Sequence, residues 1–436
     1  MPLSHQEPAP RPISRFWPFR NKYYGWAVLS AGVMSSFATA TTQGPIVGLF
    51  NQPIRNDLGW SVTDFTIAFV VGTVAGGFLS PFVGKVLDRR GARAVATISG
   101  VIMALMMIGL SNMQEPWHFW IFLGIARATA ASGAQLSVMV ALASWFVRMR
   151  GRAVGFIGTG QRTAQAIIPL PLVAIIGWLG WREAWLVLGV LVVLLLVIPS
   201  AVFVRRKPEE YGMLPDGQVH DGKVGTISEI AESLESTWTL GQAKRTRQLW
   251  LLIIGQGGVI LSLNATNLHM TAHLQNNGLS LALAATVITI FALTGALTVL
   301  PWGFAMERVH VRYLGLTSTA LFTVAMLLLA SASTFLEGVL FGLTYGLGIG
   351  AWTITSRMLF ANYFGRQHFG SIRGFAGRLM VVANPAGPLF GALIFDATGS
   401  FNTVFYIFAG VFVLSFLSFL LATPLRKPAS AQSEPA

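Results

Sequence analysis

The sequence predicts an all-α membrane protein: twelve transmembrane helices in two pseudo-symmetric six-helix bundles. Three observations lead there. Of its 436 residues, 53% are hydrophobic and only 11% charged, against roughly 25% charged in a soluble domain, so most of the surface must face something less polar than water. Twelve runs approach the ~20 apolar residues needed to cross ~30 Å of hydrocarbon. The second six also repeat features of the first at a nearly constant spacing, the mark of an internal duplication.

The runs lie at 24–50, 64–84, 94–112, 117–145, 153–177, 182–204, 248–274, 281–303, 313–333, 336–362, 371–395 and 402–423. They divide the chain into a tail (1–23), a first bundle (24–204), a polar linker (205–247), a second bundle (248–423) and a second tail (424–436). Within the linker, the stretch from Glu229 to Glu235 reads as a short surface helix, and the remainder as a tether. The first run follows a basic, proline-containing leader, and Ala38-Thr39-Ala40 imitates a signal-peptidase site. Cleavage there would leave an odd number of spans and break the charge alternation, so the run is kept as a span.

That alternation is strong. The tails and the loops after even-numbered spans hold 24 of the 30 Lys and Arg residues, among them Arg89, Arg90, Arg148, Arg150, Arg205 and Lys207, whereas the opposite loops hold two, Arg55 and Arg182. By the positive-inside rule both termini are expected in the cytoplasm, and the protein in the cell's inner (plasma) membrane as a multi-pass chain. The net charge of +13 is thus a topology signal rather than a nucleic-acid footprint.

The duplication is visible residue by residue. Gly84, Asp88, Arg89 and Arg93 after the second span recur as Gly303, Glu307, Arg308 and Arg312 after the eighth, each 219 positions on. Trp145-Phe146 before the fifth span corresponds to Tyr363-Phe364 before the eleventh, and Arg206-Lys207-Pro208 to Arg426-Lys427-Pro428. Parallel six-span repeats of this kind are a transporter architecture.

These residues support a resemblance. The loop from Gly84 through Asp88, Arg89, Arg90 and Gly91 to Arg93 resembles the signature between spans two and three of the major facilitator superfamily, with a degenerate second copy from Gly303 to Arg312. Arg127 with Gly133 resembles that superfamily's fourth-span pattern. Within it, Tyr24-Gly25-Trp26, Leu58-Gly59-Trp60-Ser61 and Arg150-Gly151-Arg152-Ala153-Val154-Gly155 are similar to the oxalate/formate antiporter and monocarboxylate transporter branch. That branch commonly carries a cation in span eight; residues 281–303 hold no Lys, Arg or His. The resemblance implies the major facilitator fold and secondary transport of a small solute by alternating access. It also implies a conformational latch built from Gly84, Asp88, Arg89 and Arg93 with Glu307 and Arg308. Asp88 would cap a neighbouring helix and the arginines pair across the cytoplasmic face.

The candidate site follows from cost. A charge at the bilayer centre costs about 2.5 to 3.5 kcal/mol on insertion scales, yet Arg127, Arg162, Arg357 and Arg378 fall within spans. Arg357 lies near a span end, where it can snorkel to water. Arg162 sits ~15 Å into span five, and Arg378 occupies nearly the equivalent place in span eleven, 216 positions on. All 17 acidic residues fall in tails, loops or span ends, so an anionic ligand is the expected partner, clamped by bidentate guanidinium bonds. The expected substrate-binding set is Arg162, Arg378, Arg127, Gln161, Asn264 and Asn384, with Gln165 and Asn267 as further neutral hydrogen-bonding candidates. The alternative for the arginines is a structural bond to carbonyls freed by Pro169 and Pro171 in span five, or by Pro385 and Pro388 in span eleven.

With no mid-membrane acid to carry a proton, His269 and His273 are the titratable candidates for coupling or gating. They share a helical face with Ser262 and Thr266, a stripe expected to face an aqueous path. Because both lie near the outer end of span seven, exposure at the membrane surface is the competing reading.

Cysteine is absent, so no disulfide, thiol nucleophile or cysteine-held metal is available. No phosphate-cradling Gly-rich loop and no His-Glu-x-x-His occurs. The expectation is a monomeric, non-enzymatic permease without cofactor or metal. Its partners are the bilayer, a small anion such as a monocarboxylate and, for symport, protons; anion exchange is equally compatible. Export of amphipathic compounds would favour an acidic cavity. A transporter-like receptor would call for a signalling domain, and the linker and tails hold no evident one.

Overall fold

The computed structural model describes residues 23–146, 149–205, 208–211, 213–214, 216, 238–365 and 368–425. The tails apart from residues 23, 424 and 425, most of the 205–247 linker including Glu229 to Glu235, and Arg148, Lys207 and the Arg426-Lys427-Pro428 repeat lie outside that set.

The described chain is helical, with no strand among the described residues. The helices are α1 (Gly25–Thr39), α2 (Gly44–Val47), α3 (Asn51–Leu58), α4 (Val62–Leu87), α5 (Arg89–Ser111), α6 (Pro116–Trp145), α7 (Arg150–Ile167), α8 (Pro169–Trp178) and α9 (Trp181–Phe203). After the linker come α10 (Leu240–Lys244), α11 (Arg247–Asn276), α12 (Leu281–Arg308), α13 (Val311–Ser331), α14 (Phe335–Phe364), α15 (Phe369–Met380), α16 (Ala383–Thr398) and α17 (Asn402–Leu421). Among the described residues, ten stretches are long and apolar enough to cross a bilayer unaided, α15 and α16 counting together as Gly370–Thr398. The other two predicted spans are broken helices. The first passes from α1 through a 3-10 turn at Ala40–Thr42, an extended Gln43 and α2; the fifth breaks at Ile168, directly before Pro169, where α7 meets α8. With these the described helices account for the twelve predicted spans.

The described residues within Met1–Gln43, Val71–Ala164 and Ile175–Gly222 pack as one compact unit, and those within Gly44–Val70, Gln165–Ala174 and Lys223–Ala436 as another. In the first, an aromatic cluster ties the start of α1 to the ends of α6 and α9. The Tyr24 hydroxyl donates to the Phe203 carbonyl at 3.0 Å, Trp145 Nε1 donates to the Arg205 carbonyl at 3.1 Å, and Tyr24, Trp145 and Phe146 are buried together. The Tyr24-Gly25-Trp26 motif is thus an anchor. In the second unit Tyr363 does what Trp145 does in the first: its hydroxyl donates to the Ala422 carbonyl beyond α17. Arg312, the repeat of Arg93, donates to the carbonyls of Phe419 and Leu420.

Turn chemistry repeats as well. Gly59 (φ 71°) and Gly278 (φ 96°) occupy left-handed backbone before the serines that begin the next helices. In both repeats the serine hydroxyl accepts from the backbone three residues on: Ser61 Oγ from Asp64 N at 3.0 Å, Ser280 Oγ from Leu283 N at 3.3 Å.

Between α12 and α13 the repeat diverges. Gly91 (φ 80°) turns the chain in the first copy, whereas in the second His310 caps α13, its Nδ1 accepting from the Arg312 amide at 3.2 Å. Partial burial and the Arg312 charge hold the His310 pKa below the ordinary histidine value, in keeping with a cap that needs a neutral ring. A group whose pKa falls on folding adds stability that is complete above its unfolded value and is lost as pH drops through the folded one. Thermal unfolding of wild-type protein should therefore shift downward from pH 7.5 to pH 5. The shift should be smaller in His310→Asn, which retains a good cap without the titration.

Candidate functional site

The broken first span exposes backbone at membrane depth, which survives in hydrocarbon only if its polar groups find partners. Three threonine hydroxyls turn back onto it: Thr39, Thr41 and Thr42 donate to the carbonyls of Ser36, Ala38 and Thr39 at 3.1, 2.7 and 3.0 Å. The Thr42 carbonyl, at the break itself, accepts from Arg127 Nη1, while Nη2 donates to the Thr73 hydroxyl at 3.0 Å. Gly72 permits this close crossing, since a Cβ there would lie 2.7 Å from the Arg127 side chain. The helix carrying Arg127 then widens into a π segment, Thr129–Gln135, from which Gln135 reaches the Thr39 hydroxyl at 3.4 Å. Arg127 is thus held by neutral protein groups, a sufficient reason for its place in a span.

Arg162 and Gln161 are half-buried on α7 in the same unit, and Gln165 is buried in the other. Arg378, on α15 in the second unit, is exposed and makes no hydrogen bond to a described residue. Five residues earlier, Arg373 is half-buried: it donates to Gln256 Oε1 at 3.0 Å and stands 5.5 Å from the Phe360 ring centroid. Sequence reasoning grouped Arg373 with the preceding loop, although it lies within the run predicted at 371–395. That run carries two arginines, one hydrogen-bonded to a described residue and one not.

On α11 the half-exposed face carries Gly257, Asn264 and Asn267. Asn264 donates to the Ile260 carbonyl at 2.8 Å, and Asn267 Oδ1 accepts from the Tyr345 hydroxyl at 3.1 Å. Asn384 is half-buried near the start of α16, just after the break at Val381 and Val382. Pro385 withholds the amide that would have bonded the Val381 carbonyl, which favours a break there.

The histidine stripe differs from both of its readings. His269 and His273 are 0% and 1% exposed, and Ser262 and Thr266 are buried with them, so the stripe faces neither the membrane surface nor water. The reason is rotation: about 200° around a helix separates it from the Asn264 and Asn267 face. His269 Nε2 bonds the Pro388 carbonyl at 2.8 Å with its ring stacked on Phe401, and His273 Nε2 bonds the Leu329 carbonyl at 2.7 Å beside Phe405. A carbonyl only accepts, so Nε2 carries the proton in both rings. These histidines join α11 to its neighbours in the second unit.

For the loop motif, the side chains of Asp88 and Glu307 lie outside the described residues. Arg89, Arg93 and Arg308 are exposed, and Gly84 has open space around it. Among the described residues, no group of three His, Asp or Glu residues could hold a metal.

Comparison with known proteins places these features in a family. The family model described as Major Facilitator Superfamily matches residues 28–280 and 252–436. The chain is 26% identical over 400 residues to the oxalate:formate antiporter of Oxalobacter formigenes, covering 86% of this chain and 85% of that one. It is 24% identical over 360 residues to human monocarboxylate transporter 11, covering 79% and 72%. It is 23% identical over 210 residues to the probable L-galactonate transporter of Escherichia coli (strain K12), where the match spans 48% of this chain and just 45% of the relative. Among solved structures, a bacterial homologue of the human lysosomal transporter Spinster, in an inward-facing and occupied conformation, superposes with a TM-score of 0.70 over 95% of this chain and 99% of that one, at 13% identity.

The Arg127 clamp yields a test in ligand-free protein. Charged hydrogen bonds contribute about 1.5 to 3 kcal/mol each, so Thr73→Val should cost about 1.5 kcal/mol and Arg127→Met roughly twice that, read as successive drops in Tm. Wild-type stability in Arg127→Met would instead reserve this arginine for a ligand.

Proposed function

Because this chain belongs to the Major Facilitator Superfamily, we propose that it carries a small organic anion, a monocarboxylate, across the plasma membrane by alternating access. Coupling is by proton symport or anion exchange. One observation supports this reading above others: Arg378 lies in a membrane-spanning stretch, exposed and without a hydrogen bond to any described residue. A guanidinium so placed gains most from a carboxylate, which takes two parallel charge-assisted bonds. Arg162, its near-equivalent in the repeat, is assigned as the second cation, with Gln161, Asn264 and Asn384 as neutral contacts. Arg127, the remaining member of the expected set, fixes the broken first span.

Further support comes from the relatives, whose names refer to oxalate, formate, monocarboxylates and L-galactonate, all carboxylates. The Lys and Arg asymmetry supports cytoplasmic termini. The absence of a cation from residues 281–303 shifts the burden of anion binding to spans five and eleven.

A thermal-shift screen of purified protein against carboxylates, neutral sugars and organic cations tests the reading. Carboxylates should raise Tm, since a ligand at a hundred times its Kd adds about 2.7 kcal/mol. Arg378→Ala and Arg162→Ala should each abolish that rise, and Arg378→Ala should leave the ligand-free Tm close to wild type. Stabilisation by sugars or cations alone, unchanged by both substitutions, would overturn it.

A further inference from the structure

A helix begins with backbone amides that have no partner inside it, and the start of α4 satisfies its amides unusually. Phe65 N returns to the Ser61 carbonyl at 3.3 Å and Asp64 N to Ser61 Oγ at 3.0 Å, with the Asp64 carboxylate accepting from Ser61 N and Oγ at 3.1 and 2.7 Å. The two remaining amides look elsewhere. Val62 N donates to Asp396 Oδ1 at 3.1 Å and Thr63 N to Asp396 Oδ2 at 2.9 Å, across more than 330 residues of sequence.

Asp396 occupies the last turn of α16, which closes at Gly399 (φ 71°). A carboxylate there opposes the negative end of its own helix, so local preference does not explain it; the positive end of α4 does. Arg55 completes the arrangement. Its Nε donates to the Trp60 carbonyl at 3.1 Å, and its guanidinium lies 5.5 Å from the Phe395 ring centroid. Burial lowers the Arg55 pKa and the Asp396 charge counteracts it. Ser280, the repeat of Ser61, caps its helix locally, and among the described residues no carboxylate caps that helix from a distant segment.

The same packing unit shows what such a cap would hold. The segment Gly44–Val70 packs with α11 through glycines: a Cβ on Gly48 would lie 2.7 Å from the Leu268 carbonyl, and one on Gly44 would lie 3.2 Å from Asn267. Near the fifth-span break, the Ala166 carbonyl accepts from the Thr289 hydroxyl at 3.0 Å. Asp396 itself is exposed and water can reach its carboxylate, whereas Val62 is buried, so its amide finds a substitute partner only when the packing around it opens.

We propose that Asp396 is a gating residue: by capping α4 it holds shut the end of the molecule formed by Arg55, Trp60 and Gly399, and its release opens that end. The inference uses the transport reading only to give opening a purpose; the bonds do not depend on the solute.

The chain has no cysteine, so an introduced one is a unique reporter. Val47→Cys, at a site 0% exposed on α2, reports this end, and Met107→Cys, at a site 0% exposed on α5, reports unfolding. In detergent, Asp396→Ala should raise maleimide labelling of Val47→Cys about tenfold, with Met107→Cys still unreactive. Val62→Pro removes one of the two amides while keeping a residue favoured at a helix start, and should give a smaller rise. The double variant should label no faster than Asp396→Ala alone. Unchanged labelling in Asp396→Ala, or effects that multiply in the double variant, would overturn the proposal. If Asp396→Ala also exposes Met107→Cys, Val62→Pro decides, and unchanged labelling there overturns it. Labelling measures no flux, so an error about the cargo leaves this result standing.

Discussion

A backbone surrounded by hydrocarbon has no water to turn to, and each interruption of a helix there must find its partners within the protein. The rest of this structure depends on how that constraint is met at the first span. Between Thr39 and Asn51 the chain runs through a 3-10 turn, an extended Gln43, the short α2 and a second 3-10 turn, and Arg127 with three threonine hydroxyls bonds the carbonyls at the first of these breaks. The break lets Gly44 and Gly48 approach α11 at backbone distance. A continuous helix bearing larger side chains would keep that segment away. An arginine that looks like a ligand site in sequence is therefore also a partner of the carbonyl at the break in the first span.

The same constraint separates the arginines by role. Arg127 and Arg373 are bonded to named protein groups, Arg312 ties α13 to the end of α17, and Arg378 has no such bond among the described residues. Only a charge left for a ligand contributes differentially when that ligand arrives. The histidines are the converse case. Their buried rings, each donating to a carbonyl, join α11 to neighbouring elements of the second unit.

Much of the fold was legible from apolar run length, because span length is set by bilayer thickness rather than by tertiary detail. The duplication was legible at Gly84 and Gly303, and at Trp145 and Tyr363, since loop chemistry repeats residue for residue. Rotation about a helix axis was not legible. Ser262, Thr266, His269 and His273 form as good a polar stripe as the face bearing Asn264 and Asn267, and only packing decides which is covered. The Asp396 cap was hidden because its donors are backbone amides, which carry no sequence signal. Its trace was an acid in the last turn of a helix, against the dipole. Arg373 escaped for a simpler reason, the uncertainty of a span boundary.

We propose that the Arg378 guanidinium on α15, without a hydrogen bond to any described residue, meets a carboxylate, and flux tests this most directly. Purified protein in proteoliposomes, given labelled formate or oxalate on one side and a neutral sugar as comparison, should accumulate the carboxylate saturably. Other carboxylates should compete, and Arg378→Ala should lose the activity. Accumulation of the neutral solute alone, or carboxylate uptake with wild-type kinetics in Arg378→Ala, would contradict the account.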